Sequence, residues 1–307
     1  MKKLERVTAG GKKARIQGIP KLEDANEAGT RNSSKCTLIL TEGDSAKSLA
    51  MAGLEVIGRD YFGVFPLKGK LLNVREANSK TLLANEEVQN IMKITGLQVQ
   101  KEYEDTKNLR YGSIMIMSDQ DTDGSHIKGL VVNFIHFFWP SLFRMPGFLK
   151  QFITPLLKVF RGQSVRSFFT MQDYKNWERN EESSRLWKVK YYKGLGTSTD
   201  KEAQEYFERI DDHELDFKYL NDEDDDAIEL AFSKKKIENR KVWIGEYDPD
   251  LIMVYNKEPI RYKEFINREF IQFSIEDNSR SIPSMIDGFK PGQRKIIYSC
   301  FKRNLKK

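Results

Sequence analysis

The sequence predicts an α/β fold in which a parallel sheet is flanked by helices. Residues 37–41 form a short strand candidate that ends at Glu42, and apolar residues at helical spacing follow over 46–57. The apolar run 114–117 is also followed by acidic residues and then by an apolar helix over 127–138. A run of four residues does not by itself exclude a helical core segment. The repeated strand–acid–helix order favours parallel strands with acidic side chains at their carboxyl ends, where open α/β sheets bind ligands.

The composition is that of a globular chain. Its 307 residues are 39% hydrophobic and 31% charged, enough for two domains or for one large domain with additions. Cys36 and Cys300 lie far apart and match no metal-ligand spacing, which favours a reducing compartment over a disulfide framework. No apolar run approaches the roughly 18–20 residues that a membrane span needs, so the sequence predicts no membrane partner.

The charge is distributed unevenly, although the net charge of +6 is modest. Residues 1–20 and 288–307 are strongly basic, whereas 211–229 is dense in carboxylates. Basic ends favour a polyanionic partner such as nucleic acid. The alternative is that these charge runs are solvated faces, and the acidic middle argues against a uniformly DNA-coating surface.

Residues 1–35 are polar and punctuated by glycine, which predicts an arm or linker. A strand is expected near 63–67, followed by Lys68 and Lys70 on either side of a glycine. Two lysines at this spacing could hold a phosphate, or they could be ordinary surface lysines. Residues 82–92 predict a helix.

Two more strands are expected in the second half of the chain. One spans 152–159 with Pro155 as an interruption, and the other follows the alternation of 187–192. The second leads into the glycine loop 193–198, which suits an anion at a helix N-terminus but is equally typical of an ordinary turn.

Helices are expected after this loop. Thr199 and Glu202 have the spacing of a capping box, which predicts a helix over 201–210. The remaining predicted helices span residues 227–243, 262–274 and 293–304. The last of these is amphipathic and basic, with an apolar stripe that should dock on another surface.

The acidic cluster is the chemically most informative feature. Asp119, Asp121 and Asp123 alternate, so an extended chain would place all three on one side, within reach of one hard cation together with Glu42. Carboxylates packed this closely repel each other, so a positive group is expected among them, and Glu42 could act as a general acid if its pKa rises. The alternative is a solvated acidic turn.

Five motifs occur in order over nearly the whole chain and together resemble eukaryotic DNA topoisomerase II, a type IIA topoisomerase. The motifs are EGDSA at 42–46, PLKGKLLNVREA at 66–77, DQDTDGSHIKGL at 119–130, YKGLGTS at 192–198 and DGFKPGQRK at 287–295. The resemblance implies a TOPRIM domain, which is a Rossmann-like parallel sheet flanked by helices, with extra C-terminal helical segments. The expected divisions are an arm at 1–35, a TOPRIM core at 36–160, a C-terminal extension at 161–255, and a linker with the truncated start of a winged-helix domain at 256–307.

The resemblance also implies the site. Glu42, Asp119 and Asp121 would be Mg²⁺ ligands, with Asp123 nearby, and Mn²⁺ or Ca²⁺ would be possible substitutes. The side chains that would line the cleavage site and contact double-stranded DNA are Lys68, Lys70, Asn73 and Lys193. Lysine at 68 stands where many eukaryotic members have arginine, so a bidentate phosphate contact is not expected there.

The parent enzyme implied by the resemblance is a nuclear, ATP-driven homodimer that relaxes and decatenates DNA by double-strand passage. ATP would bind outside this chain, and the nucleophilic tyrosine would come from the other subunit. Tyr111 and Tyr262 each follow an arginine, as the nucleophile does, but neither has that motif's context, so both are interpreted as structural. The chain is therefore expected to be catalytically incomplete. The alternatives are a stand-alone TOPRIM nuclease or primase-like enzyme, and a binding module whose acidic residues are structural.

Overall fold

The computed structural model describes residues 16–181, 183–192, 194–255 and 257–305. Its strands are β1 (Thr37–Glu42), β2 (Phe62–Leu67), β3 (Ser113–Met117), β4 (Leu149–Phe152), β5 (Leu157–Arg161), β6 (Ser164–Phe168), β7 (Lys188–Tyr191), β8 (Glu214–Lys218) and β9 (Ile260–Arg261). Its helices are α1 (Gly43–Ile57), α2 (Ser79–Ala84), α3 (Glu86–Thr95), α4 (Thr122–Phe138), α5 (Pro140–Phe143), α6 (Met171–Asn180), α7 (Asp200–Glu208), α8 (Ile210–His213), α9 (Asp222–Phe232), α10 (Ile237–Gly245), α11 (Tyr262–Glu264), α12 (Ile271–Ser281) and α13 (Pro291–Lys302). A π-helical segment, Phe265–Phe270, joins α11 to α12.

The predicted α/β class and its parallel sheet are confirmed. The main sheet has the order β2-β1-β3-β4-β8-β9, and the first four of these strands run parallel. Strand β8 joins antiparallel to β4, and β9 is parallel to β8. Every residue of β3 is buried, as expected for a central strand covered on both faces.

The alternating side chains of the central strands build a separate core on each face of the sheet. Ile114 and Ile116 pack with α4 in the larger core, whereas Met115 and Met117 pack with α1 and α7 in the smaller one. Helices α1 and α7 approach closely, since a Cβ at Gly53 would lie 2.1 Å from the ring of Phe207. The two helical layers fix the carboxyl ends of β1 and β3 beside each other.

A smaller antiparallel sheet, β6-β5-β7, lies outside the main one. The prediction of one strand over 152–159 was wrong, because β4 ends at Phe152 and β5 begins at Leu157 in the other sheet. Pro155 lies between them, where its missing N–H costs no ladder hydrogen bond. Strand β7 confirms the prediction for 187–192 and leads directly into the glycine loop.

Several predicted helices are divided in the structure. The helix expected at 82–92 is two helices, because Asn85 leaves the helical conformation and its side chain accepts a hydrogen bond from the Val88 amide at 2.9 Å. The helix expected at 227–243 is likewise α9 and α10, with the 3₁₀ turn Lys234–Lys236 between them. The helix expected at 262–274 extends to Ser281 through the π-helical segment, and α13 begins at Pro291.

Part of the predicted arm is attached to the sheet. Glu23 forms an antiparallel bridge with Val64, with N···O distances of 2.9 and 2.7 Å, so residues 16–35 extend the β2 edge. Residues 1–15 lie outside the described residues. No helix within the described ranges combines the length and the apolar character required to cross a membrane.

Candidate metal centre

The structure brings Glu42 and the acidic loop together, as the repeated strand–acid–helix order predicts. Strands β1 and β3 are adjacent and parallel, with Thr41 opposite Met117. The Asp119 amide donates a hydrogen bond to Glu42 Oε2 at 3.1 Å. The two acidic side chains therefore belong to one site at the carboxyl edge of the sheet.

The turn after β1 depends on Gly43, which has a φ of +74°. That left-handed conformation suits glycine and lets the chain pass from the strand directly into α1. The prediction that Asp44 or Ser45 caps this helix was wrong, because Glu42 occupies the N-cap position without a side-chain cap bond. Asp44 instead forms an exposed ion pair with Lys21 at 2.6 Å.

The acidic loop does not stay extended, so the three aspartates do not share one side as expected. Asp121 is the N-cap of α4 and accepts a hydrogen bond from the Gly124 amide at 2.7 Å. Asp123 lies in the first helical turn. Aspartate is among the preferred N-cap residues and is favoured in a first turn, and these local preferences start the helix three residues before the suggested cap at Ser125.

The expected positive charge is present, and it is concentrated on Asp123. Lys70 lies 2.7 Å from Asp123 Oδ1, and Arg280 reaches both carboxylate oxygens at 2.6 and 2.8 Å. Hydrogen bonds from Arg280 and Lys70 hold the pKa of the Asp123 carboxyl well below its usual range. Arg280 was not identified from the sequence, since 157 residues separate it from Asp123 and no local pattern connects them.

The glycine loop packs directly on Asp119. The Leu195 amide donates to Asp119 Oδ1 at 2.6 Å. A Cβ at Gly194 would lie 2.3 Å from Asp119 Oδ2, so this position leaves no room for a side chain. The loop that the sequence associates with an anion therefore contacts one of the protein's own carboxylates.

The inner carboxylates are not neutralised by described cations. In residues 16–181, 183–192, 194–255 and 257–305, no ion pair involves Glu42, Asp119 or Asp121. Burial, together with the charges of the nearby aspartates, raises the pKa of Glu42 to about 7. Burial also raises the pKa of Asp119. The described part of the chain contains no group of three His, Cys, Asp or Glu side chains that could hold a metal ion as they stand.

The predicted DNA-contacting residues are spread around this edge. Lys68 is exposed and lies 3.5 Å from a carboxylate oxygen of Glu86, whereas Lys70 reaches the acidic loop. Asn73 is tied into the fold, since its amide nitrogen donates to the Phe232 carbonyl at 3.0 Å and its oxygen accepts from Asn133 at 3.1 Å.

Three residues complete the comparison with the sequence predictions. Lys193 lies outside the described residues. The hydroxyl of Tyr111 donates to Asp24 at 2.5 Å, and that of Tyr262 donates to the Phe143 carbonyl at 3.1 Å. Both tyrosines are buried, which supports their interpretation as structural.

Comparison with known proteins identifies the fold family. A model of the Toprim domain matches residues 37–148, one of the C-terminal associated domain of TOPRIM matches 152–278, and one of DNA gyrase/topoisomerase IV matches 280–307. DNA topoisomerase 2 of Candida glabrata is 56% identical over 96% of this chain and 21% of its own length. DNA topoisomerase 2-alpha of Homo sapiens is 55% identical over 95% of this chain and 20% of its own length.

A solved structure extends the similarity to three dimensions. The crystal structure of the Plasmodium falciparum topoisomerase II DNA-binding, cleavage and re-ligation domain has a TM-score of 0.87 and 54% identity, covering 96% of this chain and 40% of that one. The chain spans about a fifth of the length of the curated relatives it matches. It belongs to the Toprim family and corresponds to the Toprim-containing part of the cleavage core of eukaryotic DNA topoisomerase II.

Proposed function

We propose that this chain is the metal-binding half of the DNA cleavage and religation site of an ATP-dependent type II topoisomerase, which relaxes and decatenates DNA by double-strand passage. The observation that carries the proposal is the convergence of Glu42 and Asp119 at adjacent strand ends. Their raised pKa values reflect buried negative charge that no described side-chain cation compensates.

The donor set fits a hard divalent cation. Glu42, Asp119 and Asp121 would hold Mg²⁺, with Mn²⁺ or Ca²⁺ as substitutes, because carboxylate oxygens are the ligands that these ions prefer. Asp123 would stay nearby, because its oxygens are engaged by Lys70 and Arg280. When bound, the cation would polarise the scissile phosphodiester and stabilise the leaving oxygen.

The chain's own residues would present the DNA and move a proton. Lys68, Lys70, Lys193 and Asn73 are proposed to contact the backbone of double-stranded DNA around the acidic edge. Glu42, with a pKa of about 7, holds a proton in a substantial fraction of molecules at neutral pH. It is therefore proposed to act as a general acid toward the leaving oxygen.

The remaining parts of the proposal concern the parent enzyme. The nucleophilic tyrosine would come from the other subunit of a homodimer, ATP would bind outside this chain, and the enzyme would act in the nucleus. We retain the division into 1–35, 36–160, 161–255 and 256–307, which the ends of the Toprim and associated-domain matches at 148 and 278 support only approximately.

Calorimetry tests the metal site. Mg²⁺ or Mn²⁺ should bind the wild-type chain, and the Glu42→Gln, Asp121→Asn double variant should bind at least about tenfold more weakly, since a charged ligand is lost at each position. Glu102→Gln is a matched control, because Glu102 is exposed and outside the site. Absence of binding, or equal binding by the double variant, would leave a binding module with structural acidic residues.

Two activity measurements separate the enzyme classes. The 307-residue chain alone should not relax supercoiled plasmid, because it would need a tyrosine from another polypeptide, and robust relaxation would refute this. Nicking of DNA by the chain alone, abolished by Asp119→Asn, would instead favour a stand-alone TOPRIM nuclease or primase-like enzyme.

A further inference from the structure

Glu202 connects the two ends of the glycine loop. On the near side, its carboxylate accepts hydrogen bonds from the Tyr192 hydroxyl and from Lys190 Nζ, the latter at 3.0 Å to each oxygen. On the far side, it accepts from the Thr199 amide at 2.9 Å. The capping box predicted from the sequence is present, but the contacts of Glu202 extend well beyond a cap.

The connection is buried and strongly charged. Tyr192 is 4% exposed, and Lys158, which is 6% exposed, places its ammonium 3.7 Å from Glu202. Burial alone would raise the pKa of Glu202, but hydrogen bonds from Tyr192, the Thr199 amide and Lys190 outweigh it and lower the pKa to about 2. The carboxylate is therefore charged throughout the physiological range and accepts all these bonds together.

The loop held in this way contacts Asp119 on its opposite side. The Leu195 amide donates to Asp119 Oδ1, and Gly194 lies against the other oxygen. A shift of the loop by about an ångström would break the first contact, because hydrogen bonds weaken steeply with distance and angle. The orientation of the Asp119 carboxylate thus depends on where the loop is held.

We propose that Glu202, acting mainly through Tyr192, is a positioning residue that fixes the glycine loop so that the Leu195 amide orients Asp119 for metal binding. The proposal rests on the proposed function, because it gives Glu202 the role that hydrogen-bonding partners of ligands commonly have in metal sites. The competing explanation is that the buried Leu195 side chain, which is 2% exposed in the smaller core, anchors the loop unaided.

A pair of tyrosine variants separates these explanations. Tyr192→Phe removes only the hydroxyl that reaches Glu202. Tyr206→Phe is the matched control, because Tyr206 is also buried in this cluster and its hydroxyl has no hydrogen-bond partner. Lys158 lies over both rings, at 5.5 and 4.6 Å from their centroids, so each phenylalanine keeps the ring for that contact.

The first readout is hydrogen exchange of the Leu195 amide in the metal-free chain. Exchange should be roughly tenfold faster in Tyr192→Phe and in Glu202→Gln, the factor expected when one hydrogen bond to a charged group is lost. It should be unchanged in Tyr206→Phe and in Glu208→Gln, an exposed position on the same helix. Unchanged exchange in the first two variants would overturn the proposal in favour of anchoring by Leu195.

The second readout is Mg²⁺ affinity by calorimetry. Tyr192→Phe and Glu202→Gln should weaken binding about tenfold, the usual cost of losing a partner that orients a metal ligand, and the two control variants should bind as the wild type does. Faster exchange with unaltered affinity would also refute the positioning role. If the wild-type chain binds no Mg²⁺, the proposed function fails, whereas the exchange experiment still decides whether Glu202 holds the loop.

Discussion

Replacing Glu42 by glutamine should make the metal-free protein relatively more stable as the pH rises. The folded state raises the pKa of Glu42 from 4.5 to about 7, through burial and the charges of the neighbouring aspartates. Between these values the folded chain retains a proton that the unfolded chain has released. Stability therefore falls as the pH rises through this window, and glutamine, which does not titrate, removes that contribution.

The magnitude follows from the shift. About 2.5 pKa units correspond to about 3.4 kcal/mol at most. The side chain is partly solvated, so screening reduces the expected effect to about 1–2 kcal/mol. The amide can still accept the hydrogen bond from the Asp119 backbone, so the substitution removes the charge without removing that contact.

The assay is urea unfolding in the presence of a chelator at pH 5 and at pH 8. The difference in unfolding free energy between Glu42→Gln and the wild type should grow by about 1–2 kcal/mol in favour of the variant from pH 5 to pH 8. Glu102→Gln, at an exposed position, should show no such change. A difference that is the same at both pH values would mean that Glu42 is not the buried, charge-stressed carboxyl described above.

Two other substitutions test contacts around the site. Lys128→Met should lower the unfolding free energy by about 3–5 kcal/mol in urea titrations, because it leaves the Glu269 carboxylate buried without its ammonium partner; a loss below about 1 kcal/mol would contradict a buried ion pair. Gly194→Ala should weaken Mg²⁺ binding about tenfold in calorimetry, because the added Cβ meets the Asp119 carboxylate. Its backbone is extended, with a φ of −178°, so the fold should survive, and Gly292→Ala, where a Cβ meets nothing, should bind as the wild type does.

The parts of the site that follow from short-range pattern were predictable. A buried apolar run followed by an acidic residue and an amphipathic helix places Glu42 and Asp119 at strand ends, and parallel pairing of β1 with β3 brings them together. The capping box at Thr199 and Glu202 was likewise readable from four residues. In each case the determining interactions lie within one strand, one turn or one pair of neighbouring strands.

The other features depend on competition or on long-range contact. An extended acidic loop and an early helix are both compatible with the spacing of Asp121 and Asp123, and the capping bond to the Gly124 amide favours the helix. Arg280 is brought to Asp123 by the packing of α12 against α4, which no local pattern encodes. The contact between Leu195 and Asp119 has the same origin, since the docking of the glycine loop on the sheet edge joins residues 76 positions apart.

The distribution of partners among the acidic residues has a consequence for stability. Asp123 is held by two cations, whereas Glu42 and Asp119 receive only backbone amides. Backbone amides orient a carboxylate and still leave lone pairs free, but they carry no full charge to offset burial. The metal-free protein therefore bears an electrostatic cost at Glu42 and Asp119 that a divalent cation would relieve and that a lysine or arginine in the same place would remove permanently. A protein selected only for stability would pair these two carboxylates as it pairs Asp123, so their lack of a described cation is best explained by a site adapted to bind one from solution.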